Sequence, residues 1–356
     1  MFKQKRALGG VAGGLLVAMA VAGCGAGNTK AQTNAEGMAY STDCSKIDLS
    51  VAPKSPAKLT FAHGTAAEEP IYLMQANVGT TPNRGKWYDP TYTTITKSSD
   101  RMTSIVSGQI DGASMSIPPL ISAKAKGLDF SLVASISKEA KGHFLSTFVA
   151  LKSSGIKSVK DLKGKTIAIA DYGTSQDYWA QKAVASAGLD PKKDVKYAVI
   201  PLSSMEEALR NHTADVVGLV EPFYSIAQEK GALVDVFDSL TGSDVDQELQ
   251  DAIFGNKYIK ANAGAVCAWI ADYKQTVAAY NADVKKGKQQ ILDAKIIQAP
   301  ADVYLGADDW ARPEGGVIDL TDLDALIKSM KAVGIVSSDA NVTAKDMVFP
   351  GISNTQ

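Results

Sequence analysis

The first apolar run of the chain lies at its start. From Ala7 to Gly23 the residues are only Ala, Gly, Val, Leu and Met, behind the cations Lys3, Lys5 and Arg6. A membrane span needs about 20 strongly apolar residues, and this run is shorter and rich in glycine, so it reads as a signal peptide over 1–23. From Gly25 to about Ala57 the chain is mainly Asn, Thr, Gln, Ser, Ala and Lys. Such a stretch buries too little surface to order itself, and a flexible tether is expected over 24–57.

Beyond it the pattern changes to short apolar runs followed by helical spacing. Leu59 to Thr65 and Ile167 to Thr174 are both apolar strands that end in Gly-Thr and open a helix. A self-similarity follows at a spacing of 104 residues: Asp111 lies over Asp215, Pro118 over Pro222, Ala123 over Ala227 and Gly127 over Gly231. Each copy reads as a strand, a capped helix, then a buried strand running into a proline-started helix. The pattern predicts an α/β protein of two duplicated lobes, each with a mostly parallel sheet. Long helical patterns follow from Ala261 to Asp293 and from Leu320 to Gly334. The expected organisation is 58–147 for the first part of lobe 1, 148–258 for lobe 2, and 259–356 for a return to lobe 1. Two crossings, near Thr147–Lys152 and Tyr258–Ala265, make a hinge, and a hinge between α/β lobes makes a cleft.

The 356 residues contain 37 Lys+Arg and 38 Asp+Glu, so no net field draws the chain to nucleic acid or an anionic surface. Three cysteines are too few for a disulfide scaffold or a four-thiolate zinc site. The three histidines fit no metal spacing, and neither a Gly-x-Ser-x-Gly elbow nor a His-Glu-x-x-His pair is present. The composition therefore implies no cofactor, no metal and no enzyme.

In a parallel α/β sheet, ligands sit beyond the carboxyl ends of the strands, facing helix N-termini. Four such ends stand out: His63-Gly64-Thr65, Ser114 to Ile117 with Ser116 between, Tyr172 to Ser175 with Thr174, and Glu221 with Phe223. Tyr178, one turn into its helix, joins them. The competing reading is that the hydroxyls only cap helices, at about 1 kcal/mol each. His63 is expected in the cleft, His143 near the hinge and His212 exposed in a turn. Glu68, Glu69 and Glu221 place acidity near helix starts, where an anionic ligand wants none. Glu69 also complements a helix dipole. Arg101 reads as a solvated arginine at a helix start, with pairing to an acidic ligand as the alternative.

Val21-Ala22-Gly23-Cys24 resembles the bacterial lipobox, which implies cleavage before Cys24 and acylation of its thiol. Loss of three cations then takes the formal charge from −1 to about −4. An extracytoplasmic compartment permits a disulfide between Cys44 and Cys267, while two thiols, with Cys267 simply buried, remain the alternative.

Ser158-Val159-Lys160-Asp161-Leu162-Lys163-Gly164-Lys165-Thr166-Ile167-Ala168 resembles the signature that opens the second lobe of ABC-transporter solute-binding proteins. Ser186-Ala187-Gly188-Leu189-Asp190-Pro191 resembles their Ala-Gly-Leu-Asp-Pro helix end. Ser107 to Asp111 with Ile117-Pro118-Pro119-Leu120 resembles a step of the branch that binds nitrate, sulfonates, taurine and thiamine-pyrimidine precursors. The resemblance implies a two-lobed type II periplasmic-binding fold, with a hinge and an interlobe cleft. It further implies a lipid-anchored extracytoplasmic receptor, monomeric, that closes on a small anionic, zwitterionic or aromatic solute and delivers it to ABC permease subunits. A thiamine-pyrimidine-precursor receptor is the nearest alternative, and an enzyme on the same fold or a structural surface lipoprotein are the others. The segment Thr80 to Tyr88 departs from the pattern and is expected to reshape the cleft rim.

Overall fold

The structure, a computed structural model, describes residues 43–243 and 245–351, with the backbone of the short antiparallel pair β1 (Gln32–Thr33) and β2 (Ala39–Tyr40). The expected signal peptide over 1–23 and the expected lipidation site Cys24 lie outside the described residues. Among those described, no helix is long and apolar enough to cross a membrane.

The first sheet contains β3 (Ala57–His63), β4 (Tyr88–Thr94), β5 (Gly112–Ser116), β6 (Phe130–Glu139) and β12 (Gln247–Gly255), in the order β4-β3-β5-β12-β6. The second contains β7 (Thr147–Leu151), β8 (Thr166–Ile169), β9 (Lys196–Val199), β10 (Val216–Leu219) and β11 (Leu233–Asp238), in the order β11-β7-β10-β8-β9. Read from the β4 and β9 edges, the two orders are the same. In each sheet the fourth strand is antiparallel to both neighbours: β12 to β5 and β6, and β7 to β10 and β11. The other neighbouring pairs are parallel. The duplicated sequence pattern is therefore a duplicated topology, in which each lobe receives its antiparallel strand from the chain leaving the other.

This exchange moves both crossings. The first runs between Glu139 and Thr147, so Thr147–Leu151 is already a strand of the second sheet. The second runs between Asp238 and Gln247, well before Tyr258–Ala265, because β12 returns to the first sheet and not to the second. The two crossings are pinned together. Ser239 N donates to Ser146 O at 2.9 Å. The fully buried carboxylate of Glu139 accepts from Ser146 N (3.0 Å), Ser146 Oγ (2.5 Å), Ser239 Oγ (2.6 Å) and Trp310 Nε1 (3.1 Å). Burial pushes this carboxyl above its ordinary range against the pull of those donors.

Helices cover the sheets. In lobe 1 these are α1 (Glu69–Ala76), α2 (Ser98–Ser107) and α3 (Ile117–Ala125); in lobe 2, α4 (Ser175–Ser186), α5 (Met205–Arg210) and α6 (Phe223–Glu229). Proline at the first turn starts α1 and α3, where its missing N–H costs nothing. Gly108 ends α2 with φ +74°, a conformation that glycine adopts without a Cβ clash. Every residue of β10 is buried, as expected of a strand covered on both faces. The C-terminal part adds α7 (Asn256–Ala261), α8 (Ala263–Ala282), α9 (Val284–Asp293), α10 (Ala301–Gly306), α11 (Leu320–Ala332) and α12 (Ala344–Met347). The helical pattern up to Asp293 is broken at Asp283, whose side chain caps α9 by accepting from Lys286 N.

The expected tether ends sooner than its composition suggested. Residues 43–57 are laid against lobe 1: Cys44 is disulfide-bonded to Cys267 of α8, Cys44 N donates to Gly351 O, and Trp87 Nε1 donates to Leu49 O. Ile47 and Leu49 pack on the core around Phe61 and Trp269. A few apolar side chains and one covalent bond hold a stretch that its polar content alone does not. Closing a loop across 223 residues restricts the denatured chain, and stabilisation of about 2–4 kcal/mol is the usual result.

Candidate functional site

The two lobes enclose a cavity of ≈ 130 Å³ at the carboxyl ends of their parallel strands. For scale, a dry engineered cavity of roughly 150 Å³ takes a benzene ring. Lobe 1 supplies the turn from Gly64 to Glu68, the residues around the start of α2 and of α3, and Leu249 and Gln250 of β12. Lobe 2 supplies Ala170 and Asp171, Thr174 to Gln176, Trp179, Leu202 and Val220. Ser99 Oγ donates to Asp171 Oδ2 at 3.0 Å and Trp179 Nε1 to Gln247 Oε1 at 3.1 Å, so polar contacts bridge the lobes beside the cavity.

Each wall has a local cause. After β3 the chain turns at Gly64, whose N–H donates to both carboxylate oxygens of Glu68 (2.8 and 3.1 Å), while Ser114 Oγ donates to Glu68 Oε2 at 2.6 Å. Arg101, only 3% exposed, is drawn under this turn and donates through Nη2 to Ser98 Oγ and through Nη1 to Ile95 O. Burial lowers its pKa, and the charge of Glu68 works the other way. In lobe 2, Gln176 ties the end of β8 to β10, accepting from Ala170 N and donating to Gly218 O. Ser98 of α2, Ser116 just before α3, and Ser175 and Gln176 of α4 line the cavity, and none of the three helices has a side-chain cap. The N–H groups at the starts of α2 and α4 give the cavity a positive lining potential, whereas α3 begins Ile-Pro-Pro and lacks two of its first three donors.

Three polar atoms of wall residues are sealed from solvent and lack a partner among the described residues: Arg101 Nε, Ser175 Oγ and Gln250 Oε1. Gln250 spends its Nε2 on Ala66 O at 2.9 Å, which leaves the acceptor half of the amide free. Leaving such atoms unmatched costs about 1–3 kcal/mol each. Among the described residues no three His, Cys, Asp or Glu side chains form a metal-ligating group.

Of the residues singled out from sequence, Gly64, Thr65, Ser116, Thr174 and Ser175 line the cavity. The others sit elsewhere. His63 is buried behind the turn, where Nδ1 donates to Gly64 O at 2.7 Å. Ser114 is buried and reaches the cavity only through Glu68, and Ile117 is buried in the lobe core. Tyr172 points outward and is 60% exposed. Tyr178 lies on the side of α4 that faces α11, with its hydroxyl on Ser329 Oγ at 2.7 Å. Glu221 caps its own helix through Ser225 N and Oγ, and Phe223 packs on the lobe 2 core. Arg101, expected in solvent, is buried, because α2 is amphipathic and turns this position inward. Thr80 to Tyr88 is not on the rim: Asn83 and Tyr88 bind Asp272 of α8 and Thr80 meets Thr276. His143 and His212 are exposed and do not line the cavity. Sequence reasoning missed Trp179, Gln176, Leu249 and Gln250.

Behind Leu249 and Gln250 lies a buried acid pair on the same strand. Burial pushes Glu248 up to about 7, against the pull of Lys138, and pushes Asp251 well above its ordinary range, with the charge of Glu248 adding to it. Burial likewise raises Glu221 to about 6. An acid whose folded pKa is raised holds a proton that the unfolded chain has released. Its stabilisation is fully present below the unfolded value near 4.5 and is lost as pH rises through 6 to 7. Thermal unfolding between pH 5 and 8 is therefore expected to show the higher Tm at pH 5. Glu248 supplies up to roughly 3 kcal/mol of the difference, and Glu248→Gln flattens the profile. A Tm that rises from pH 5 to 8 contradicts this assignment.

A family model described as the NMT1-like family matches residues 46–282. Among curated proteins none matches the chain. The periplasmic aliphatic sulphonate binding protein of Escherichia coli is similar in structure at 17% identity and TM-score 0.63, covering 83% of this chain and 98% of that one. The alkanesulfonate-binding protein of Xanthomonas axonopodis pv. citri, bound to MOPS, is similar at 17% identity and TM-score 0.66, covering 85% and 99%. The periplasmic nitrate-binding protein of Synechocystis PCC 6803 is similar at 13% identity and TM-score 0.65, covering 83% and 86%.

Proposed function

We propose, from the premise that the chain belongs to the NMT1-like family, that it is the solute-binding component of an ABC importer. In this reading the protein is extracytoplasmic, tethered through a lipid on Cys24, and monomeric. It is no enzyme: it captures one small organic solute by closing its lobes and hands it to the permease. The observation that carries the proposal is the interlobe cavity itself. It lies at the carboxyl ends of the parallel strands of both sheets, and residues of its wall carry buried polar atoms without partners among the described residues. A site with apolar walls, a few unspent hydrogen-bonding groups and two lobes that can part fits capture and release better than catalysis. The structural neighbours, which bind sulfonates and nitrate, point the same way. A lipid tether would hold the receptor at high effective concentration beside its transporter.

The test is a thermal-shift screen against sulfonates, taurine, nitrate, aromatic carboxylates and pyrimidines, with small-angle scattering on any hit. A solute at 100 times its Kd adds about 2.7 kcal/mol of stability, enough to move Tm by several degrees. Trp179→Ala removes the aromatic wall and is expected to weaken the hit at least tenfold by calorimetry. Silence across the panel, with no compaction in scattering, would overturn the receptor reading.

A further inference from the structure

We propose that Glu68 sets the charge selectivity of the cavity, so that its solute carries no net charge. The inference rests on the receptor reading and names the substrate class of the same site. Glu68 is fully buried and lines the cavity. A methyl group placed on Gly64 would meet Glu68 Oε1 at 2.8 Å and Arg101 Nη1 at 2.9 Å, so one carboxylate and one guanidinium converge on the same point with only a glycine between them. The positive charge that would otherwise attract an anion is thus answered by the protein. At the rim Lys97 and Asp171 repeat the balance. These four are the charged residues that line the cavity among those described.

What the wall still offers is directional rather than ionic. Just behind the wall, sealed from solvent, Arg101 Nε is an unmatched donor, Ser175 Oγ a donor or acceptor, and Gln250 Oε1 an acceptor. A zwitterion or a neutral amide-like ring, which carries both an acceptor for Arg101 and a donor for Gln250, satisfies them once small side-chain shifts open these atoms to the cavity. A simple monoanion does not, because it leaves Gln250 Oε1 unmatched and buries its charge beside Glu68. The uncapped starts of α2 and α4 then orient the negative end of the solute without demanding a net charge.

Glu68→Gln is close to isosteric: with its amide oxygen in the Oε2 place it still accepts from Gly64 N and Ser114 Oγ. The probes are ethanesulfonate and ethylammonium, titrated calorimetrically into the full-length protein. Wild type is expected to bind neither below 1 mM on the order set by unassisted contacts, and Glu68→Gln to bind ethanesulfonate at least tenfold more tightly. Arg101→Gln is the mirror test, in which ethylammonium gains and ethanesulfonate does not. Tight binding of ethanesulfonate by wild type, or a folded Glu68→Gln that gains nothing, overturns the charge assignment. Neither result touches the receptor reading, which fails only if the whole solute panel is silent.

Discussion

Arg312→Ala is expected to destabilise the protein by about 3–5 kcal/mol and to disorder the turn that carries Glu68. Arg312 is buried, and its guanidinium reaches four groups: the Glu69 carboxylate, Asp309 Oδ1 at 2.7 Å, Ala67 O at 2.7 Å and Ile136 O at 3.2 Å. Truncation leaves two carboxylates in a dry interior without their cation. Burial already pushes Glu69 up against the pull of Arg312; burial works on Asp309 in the same sense, but Arg312 holds it below the usual range. Both must then protonate or take up water. The loss should therefore be largest near neutral pH and partly recovered near pH 5. Arg312→Lys keeps the charge but not the planar fork, so an intermediate loss is expected. Urea unfolding of the three proteins at pH 5 and 7.5 checks this. A loss under 1 kcal/mol for Arg312→Ala would remove Arg312 from any account of how the turn is held. Because the Ala67 carbonyl is released as well, solute affinity should fall even where the protein remains folded.

Much of this architecture was legible in the chain. The 104-residue offset that superposes Asp111 on Asp215 and Pro118 on Pro222 corresponds to β5 over β10 and α3 over α6, and the strand-end motifs at Gly64-Thr65, Ser116 and Thr174-Ser175 do meet at the cavity. Local pattern suffices there because each motif is a strand end followed by its own helix. It fails where a position depends on the partner lobe. Gln250 enters the cavity on β12, a strand contributed by the return crossing, and the register of β12 against β6 shifts on either side of it. Nothing local marks that face. Tyr178 and Trp179 are neighbours on α4, and periodicity alone does not say which of them meets the cavity and which meets Ser329. Arg101 looked like a solvated cation because charge is usually exposed. Its burial makes sense only beside Glu68, which lies 33 positions earlier in the chain. The disulfide was left open by the sequence for the same reason, since Cys44 and Cys267 are brought together only by the packing of residues 43–57 on α8.

Glu139→Ala is expected to cost about 3–5 kcal/mol and to uncouple solute binding from lobe closure. The carboxylate accepts from four donors on three separate segments: Ser146 on the outgoing crossing, Ser239 on the returning one and Trp310 from the C-terminal part. Removing it orphans the Ser146 N–H and the Trp310 indole N–H in a site that water does not reach. The two serine hydroxyls can turn to other acceptors, which is why the expected loss is below the sum of four buried orphans. Glu139→Gln separates charge from shape. Its amide retains one acceptor oxygen but presents an N–H₂ to groups that are themselves donors, so it should lose more than half of what alanine loses. The functional consequence follows from where the donors sit. If the receptor reading holds, an intact clasp should make the crossings bend as one unit about a single axis, and its loss should let each bend alone, so that the closed state becomes one of several. Scattering should then show a smaller solute-induced compaction, and calorimetry a weaker affinity, at temperatures well below the lowered Tm. A variant that loses stability yet compacts as wild type does would make Glu139 a core residue and nothing more. Loss of compaction with the lobes still folded would identify it as the group that makes two strands act as one hinge.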